Sequence, residues 1–482
     1  MSKDLQPWSW RSLPLNNRTG SEVFDCLFRN QGVIATLLES PDPPPPDQPQ
    51  LARYSICAGM PRNRQGRSQM WTPAVGEILP FLRRLLASKG NREMGKWGDR
   101  ENVTPPSHLP FLGGWLGWLG YDLAWEIERL PHLKSDLLPF PVAFWYEPAA
   151  FAILDHQQQL LWLAATDVAE LDHLQQRLEN FLPLRQSHLA NPTSPAPKFL
   201  TSQAEYKAAV VQAKNYIQAG DIFQANLSLR FETTTTAESW EIYRALQQIN
   251  PSPFASYWQT PWGDVISCSP ERLVQIQGNQ AQTRPIAGTR SRGTTTEADR
   301  QQEEDLITNA KERAEHIMLV DLERNDLGRV CQWGSVEVNE LFTLEHYSHV
   351  MHLVSNIRGT LCTEYDAVDL IRALFPGGTI TGCPKVRCME IIEKLEPVRR
   401  SLFYGSCGYL DVRGNLDLNI LIRTLLFSPH DVRQSGTDQR PTANVWGQVG
   451  AGIVADSDPE HEWYESLHKA QAQLAALKIF SL

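Results

Sequence analysis

The sequence predicts a protein that mixes helices with strands and divides into two parts, and three features predict it. Its 482 residues are enough for two domains of ordinary size. Ser187–Lys198 (SHLANPTSPAPK) has the small, polar, Pro-rich character of a linker between domains. Capped helical stripes alternate with short strand-like runs. The expected division is an N-terminal domain over 1–186, a linker over 187–199 and a larger domain over 200–482.

The N-terminal part is rich in Trp and Pro. Pro43–Pro46, inside Pro41–Pro49, reads as a solvated polyproline loop between Leu37-Leu38-Glu39-Ser40 and Arg53-Tyr54-Ser55. After the linker, Ser202-x-x-Glu205 is a capping box that opens a helix with Tyr206, Val210, Ala213 and Ile217 on one face, and Gly220 closes it. Strand-like runs follow at Ile222–Phe231, Ser256–Gln259 and Val265–Ser267. A second helix is expected over Asp299–Met318, with Leu306, Ala310, Ala314 and Ile317 as its buried stripe. Residues 428–444 read as a polar loop between two strands, and no period of 20–50 residues indicates a repeat.

Net charge is −10, with no basic run interleaved with aromatics, which argues against a nucleic-acid partner. The eight cysteines show neither C-x-x-C nor zinc-site spacing, so no disulfide framework is expected and a reducing compartment is. Met1–Leu15 has no apolar signal core and no stretch reaches membrane-spanning length; the expected location is the cytoplasm, with no membrane partner.

Four segments gather polar groups where a core would not want them. Cys268-Ser-Pro-Glu271-Arg272 puts an acid at a strand end, which serves either as a salt-bridge partner or as a general acid in a cleft. Glu312 and Glu315 sit three apart and share a helical face, as do Glu462 and Glu465. One such pair is ordinarily a solvated surface, but two in one domain suit a hard cation such as Mg²⁺. Gly377-Gly378-Thr379-Ile380-Thr381-Gly382-Cys383-Pro384-Lys385 has the look of an anion cradle, without Walker A spacing.

In order, GDIFQANLS (220–228), SPERL (269–273), RPIAGTR (284–290), RAEHIMLVDLERNDLGRV (313–330), HVMHLVS (349–355), FPGGTITGCPKVRCMEII (375–392), NLDLNILIRT (415–424) and GAGIVADSDPEHEWYES (450–466) resemble the chorismate-binding domain shared by anthranilate synthase, aminodeoxychorismate synthase and isochorismate synthase large subunits. The resemblance runs from about residue 200 to the end, and continues less tightly through LLES (37–40), RYSI (53–56) and GGWLGWLGYDL (113–123). It implies an α+β fold, a two-domain α/β sandwich of packed antiparallel sheets with helices outside. It implies Mg²⁺ held by Glu315 and Glu465, with Glu312 and Glu462 beside them, against the ring carboxylate of chorismate. Glu271 matches the acid that protonates the departing hydroxyl, and His352 and Thr379 match residues near the enolpyruvyl group and ring. Arg423 and the amides of Gly450 and Gly452 match the clamp on the enolpyruvyl carboxylate, with Lys385 as a further carboxylate contact. One departure stands out: alignment on Gly405 and Gly408 puts Phe403 where the family usually has a substrate-facing Tyr, with Tyr404 next to it.

Gln224 occupies the position where water-adding relatives carry a Lys base. A neutral amide cannot deprotonate water, so the resemblance favours ammonia as nucleophile and ranks isochorismate or salicylate synthesis low. Asn226-Leu227-Ser228, Gly377–Gly382 and Leu416–Ile420 look like aminodeoxychorismate synthase, of the 4-aminobenzoate and folate branch. Ala287 is instead typical of anthranilate synthase, the tryptophan-branch alternative, because many aminodeoxychorismate synthases carry an attacking Lys there. LLES, Leu38-Glu39-Ser40 in particular, resembles a tryptophan-binding element, with Asn250-Pro251-Ser252-Pro253 as its opposite wall. The balance falls on the folate branch. No cysteine has the setting of a glutaminase nucleophile, so a separate glutamine amidotransferase subunit is expected to supply ammonia. A chorismate- or tryptophan-binding subunit without catalysis is the non-enzymatic alternative, and the strand-end acid Glu271 argues against it.

Overall fold

In a computed structural model, the described residues are 8–40, 49–87, 104–180, 194–293, 295–347, 350–429 and 442–477. Two large antiparallel sheets dominate, one of twelve strands and one of ten. Side chains alternate across the larger sheet as a period of two requires. Trp258 and Leu426 face a core shared with the smaller sheet, which contributes Trp115, Val274 and Leu410. Tyr257, Leu425 and Phe427 face a second core closed by helices, through Phe24, Leu174, Val210, Leu246 and Leu474. This is the α+β sandwich with helices outside that the resemblance implied.

Both sheets run across the junction between the two sequence parts. Strand Ala35–Glu39 pairs with Phe254–Thr260, from Ala255 opposite Glu39 to Gln259 opposite Ala35. Strand Gly114–Leu119 pairs with Ser406–Asp411. The 1–186 and 200–482 regions therefore share two sheets and a core; residues 187–193 of the expected linker lie outside the described residues, and Lys198–Phe199 is already a strand paired with Gln224–Thr235. Residues 41–48 of the proline loop and 430–441 of the polar loop also lie outside them, while strands Thr424–Pro429 and Ala443–Ile453 flank the latter and pair with each other.

The Ser202 capping box forms, with Ser202 N donating to Glu205 at 2.8 Å and Glu205 N to Ser202 Oγ at 3.3 Å, and opens helix Gln203–Gln218. The helix expected over Asp299–Met318 is two helices, Thr296–Thr308 and Ala310–Gly328. Asn309 breaks them: its ψ of 108° leaves helical space, and its side chain caps the second helix by accepting from Glu312 N at 3.0 Å. The expected stripe is also corrected. Leu306 is buried, but Ala310, Ala314 and Ile317 are exposed, because the inward face of Ala310–Gly328 runs instead through Leu319, Val320 and Leu327 together with polar side chains. His316, Glu323 and Asp326 are buried on that face, with His316 Nε2 2.6 Å from Ser355 Oγ. No helix of the described residues is long and apolar enough to cross a membrane.

Candidate active site

Glu271 stands between strands Gly263–Ser269 and Arg272–Gln277. Its amide donates to Ser269 Oγ at 3.3 Å and its carbonyl accepts from Ile420 N at 3.0 Å, so the backbone is held on both sides. The side chain is 5% exposed. Burial pushes its carboxyl up to about 8; the Thr379 hydroxyl opposes the shift, the Glu323 carboxyl adds to it, and the Ile286 amide opposes it. A carboxyl so placed keeps its proton at neutral pH and can donate it. Thr379 belongs to the short turn Gly378–Thr381, whose position is fixed by Asn226 Nδ2 donating to Thr379 O at 3.3 Å. The Thr379 hydroxyl is buried and makes no other hydrogen bond among the described residues.

His352 lies on strand Val350–Thr360, edge-on to Tyr347 at 5.5 Å. Burial and the nearby Arg423 charge lower its pKa to about 4, with the Gly288 backbone opposing, so its ring is neutral at physiological pH. Arg423 takes an uncommon φ of 51° for a residue with a side chain. Its Nη1 donates to Lys469 O at 2.5 Å, and its carbonyl accepts from Cys268 N at 3.2 Å. Arg423, His352 and Pro270, the neighbour of Glu271, line one small cavity of ≈ 40 Å³ together with Asn250, Pro251 and Ser252. His352 and Arg423 thus share a cavity, and Glu271 reaches it only through its neighbour Pro270.

Gln224, Asn226 and Ser228 follow one another along one face of strand Gln224–Thr235, opposite Gly452 and Gly450 of Ala443–Ile453. A Cβ at Gly452 would fall 2.4 Å from Gln224 Nε2, and one at Gly450 would fall 2.4 Å from Leu227 O. The backbone clash makes Gly450 required, while a side chain at Gly452 would push the Gln224 amide aside. Lys385 is placed differently from expectation. Its ammonium donates to Asp326 at 2.5 Å and to Leu374 O at 2.8 Å, so its charge is already matched within the protein. One amide of the expected anion cradle is likewise engaged, since Gly378 N donates to Glu323 at 3.4 Å.

The four expected metal-site glutamates fall into two groups. Glu462 and Glu465, on helix Pro459–Ala476, have carboxylate oxygens within 4.8 Å of each other and of a His461 nitrogen. Glu312 and Glu315 lie on helix Ala310–Gly328 and are not part of that cluster. One Glu312 oxygen accepts from Arg290 at 2.6 Å; the other is buried with no hydrogen-bond partner and lies 2.1 Å from where a Cβ at Gly288 would fall. A chain of neighbours runs between the two groups: the Gly288 backbone bonds His352, Arg423 acts on His352, and Glu465 acts on Arg423. The orphaned buried oxygen of Glu312 and the clustered oxygens of Glu462 and Glu465 are hard donors of the kind Mg²⁺ takes.

Comparison with known proteins identifies the family. The family pattern described as chorismate binding enzyme matches residues 76–475. The chain belongs to the chorismate-binding enzyme family. An "Anthranilate synthase component I-like protein" of Synechocystis sp. is 60% identical, covering 98% of this chain and 93% of that one. The protein of the same organism named anthranilate synthase component 1 is 40% identical over 79% of this chain and 80% of its own. The aminodeoxychorismate synthase component 1 of Bacillus subtilis is 45% identical over 79% and 80%. A crystal structure of anthranilate synthase component I from Streptococcus pneumoniae superposes with a TM-score of 0.71 at 30% identity, over 88% of this chain and 92% of that one.

In this chorismate-binding enzyme the LLES segment lines a cavity of ≈ 130 Å³, through Leu38, Glu39 and Ser40, against Tyr54, Ile56, Pro253 and Phe254. The Glu39 carboxylate is committed elsewhere: it accepts from Ser21 N at 2.8 Å, Ser21 Oγ at 2.6 Å and Tyr243 OH at 2.9 Å. Asn250, Pro251 and Ser252 do not form the opposite wall; they belong to the His352–Arg423 cavity, and Pro253 borders both. Ser40 Oγ donates to Pro253 O at 3.2 Å, which ties the two walls together.

Phe403 packs under the Arg230 guanidinium, 5.3 Å from its ring centre. Tyr404, at φ 64°, has a buried hydroxyl that faces Ser228, with Arg400 and Arg423 nearby. Ala287 pairs with Leu353 in strand Ile286–Ser291, one residue along from His352. Sequence reasoning named Tyr404 only as the neighbour of Phe403, and did not single out His461 or Glu323. His461 stood one position from Glu462 in a segment already in view; Glu323 carries no spacing signal, because only folding brings it to Glu271.

Proposed function

We propose that the chain is the large component of an aminodeoxychorismate synthase, which aminates chorismate with ammonia to give 4-amino-4-deoxychorismate. The observation that carries the proposal is a carboxyl held protonated, Glu271, facing the hydroxyl of Thr379, whose carbonyl is bonded by Asn226, two residues along the strand from the neutral amide Gln224; its neighbour Pro270 lines the cavity of the Arg423 cation. Chorismate presents a leaving hydroxyl and two carboxylates. Glu271 donates its proton to the departing hydroxyl, Arg423 pairs with a substrate carboxylate, and neutral His352 packs against the substrate without adding charge. Glu315 and Glu465, with Glu312, Glu462 and His461 near them, would hold Mg²⁺. Bound there, Mg²⁺ supplies Lewis-acid neutralisation of the remaining carboxylate. Gln224 cannot serve as a base toward water, and ammonia needs none.

The folate branch is supported by the 45% identity to the Bacillus subtilis enzyme of that name. The Synechocystis relative at 60% is also a different protein from the one named anthranilate synthase component 1 there, at 40%. A second reading, anthranilate synthase component I, is favoured by Ala287 and by the cavity behind Leu38, which would take tryptophan as an effector or a structural ligand. In either case ammonia comes from a separate glutamine amidotransferase subunit.

Incubating the purified chain with chorismate, Mg²⁺ and an ammonium salt decides among these. A product that a lyase converts to 4-aminobenzoate supports the proposal. Fluorescent anthranilate selects the second reading, and unconsumed chorismate overturns both.

A further inference from the structure

Glu323 is a buried carboxyl that the proposed reaction does not use. It sits on the inward face of helix Ala310–Gly328, 4% exposed. One of its oxygens takes the Gly378 amide at 3.4 Å. The other lies 3.2 Å from Thr283 Oγ1, whose hydroxyl also reaches Leu273 O at 2.8 Å. A hydroxyl has one proton. With that proton engaged by Leu273, a proton on Glu323 closes the second bond, and the carboxyl is then a neutral acid with both oxygens satisfied.

The two segments it grips are the two that serve Glu271. Gly378 immediately precedes Thr379, whose hydroxyl faces Glu271, and Thr283 precedes Pro285-Ile286, whose amide does. Other charged groups around Glu323 are Asp326, one turn on along the same helix, the Lys385 ammonium bonded to it at 2.5 Å, and Arg329 beyond. We propose that Glu323 is a positioning residue for the Glu271 acid, clamping from behind the two segments that present Thr379 and Ile286 to it and setting the charge that Glu271 meets. The proposal rests on the role of Glu271 as proton donor.

Glu323→Gln keeps the shape of the neutral acid, accepting from Gly378 and donating to Thr283, but cannot ionise. Glu323→Leu breaks both contacts. With chorismate, Mg²⁺ and ammonium as substrates, Glu323→Gln should hold the plateau kcat within about 3-fold while Glu323→Leu loses about 10–100-fold, with KM little changed in either. Ionised Glu323 holds the Glu271 proton on at high pH, so the alkaline limb of Glu323→Gln should move acidward by roughly half to one pH unit. A purely structural residue would change the folded fraction and leave the limb in place. An unmoved limb in Glu323→Gln, or a plateau as low as that of Glu323→Leu, overturns the proposal. Infrared titration of the protonated-carboxyl band in the substrate-free protein gives the same comparison. It separates failure of this inference from absence of chorismate turnover, since the Glu271 band should ionise at lower pH in Glu323→Gln whether or not the wild type turns chorismate over.

Discussion

Arg290 holds one oxygen of Glu312 at 2.6 Å and leaves the other aimed at the backbone of Gly288. Gly288 has φ 68°, and a methyl there would fall 2.1 Å from that oxygen. Gly288→Ala should therefore displace Glu312 and raise the Mg²⁺ concentration for half-maximal rate about 10–100-fold. Glu465→Ala should abolish Mg²⁺-dependent turnover altogether. Rate against Mg²⁺ concentration reads both, and unchanged activity in Glu465→Ala removes the metal assignment.

Glu271 sets the pH dependence. Its folded pKa of about 8 lies above the ordinary value of 4.5, so the donating form is fully present at neutral pH and is lost as pH rises through about 8. The rate with saturating ammonium should fall over that window. Glu271→Gln cannot donate and should lose about 10²–10⁴-fold in kcat. A variant that keeps its rate, or a profile flat to pH 9, would remove Glu271 from the chemistry.

Tyr404 places a buried hydroxyl near Ser228 and Arg423, where Phe403 offers none. Tyr404→Phe should raise KM for chorismate about 10-fold or more, the order of one hydrogen bond to a charged group, with a smaller change in kcat. Steady-state kinetics check it. An unchanged KM would mean that the hydroxyl never meets the substrate.

Position 287 should decide the product. Ala287 lies on the strand next to His352, within the backbone that frames the site. If the wild type makes anthranilate, Ala287→Lys should shift products toward amination at carbon 4, measured by chromatography of the reaction mixture. An unaltered mixture counts against a role for this position.

Arg400 and Glu396 form a buried ion pair at 2.6 Å, and the guanidinium also donates to Ile380 O and Asn226 O at 2.7 Å. Arg400→Met strands the Glu396 charge and frees two carbonyls. It should cost about 3–5 kcal/mol of stability, seen as a lower denaturation midpoint. Because Asn226 and Ile380 border the cleft, activity should fall with it.

Much of this was legible in the sequence, and the exceptions have physical causes. The Ser202 box, Gly220 and the flanking strands were readable because caps and alternation are local. Glu271, His352 and Arg423 were legible through ordered motifs, and the fold puts His352 and Arg423 on one cavity with Pro270, the neighbour of Glu271. The expected stripe fell on the wrong side of helix Ala310–Gly328. Periodicity assumes that the buried face is wholly apolar, and here it mixes His316, Glu323 and Asp326 with Leu319, Val320 and Leu327. Lys385 was assigned to substrate because nothing in its neighbourhood along the chain reveals Asp326, 59 positions away. Asn250–Ser252 were placed on the wrong cavity for a related reason: a loop has two sides, and only its neighbours say which one it lines.

The strands contributed by the first third of the chain are stitched into layers completed by the last two thirds. A protease cut between Asn180 and Ser194 would thus yield a nicked protein rather than two products. The fragments would remain clasped by the ladders at Ala35–Glu39 and Gly114–Leu119, and would part only in denaturant. Either piece made alone would expose two raw sheet edges, so co-expression, not truncation, is the route to a minimal soluble form.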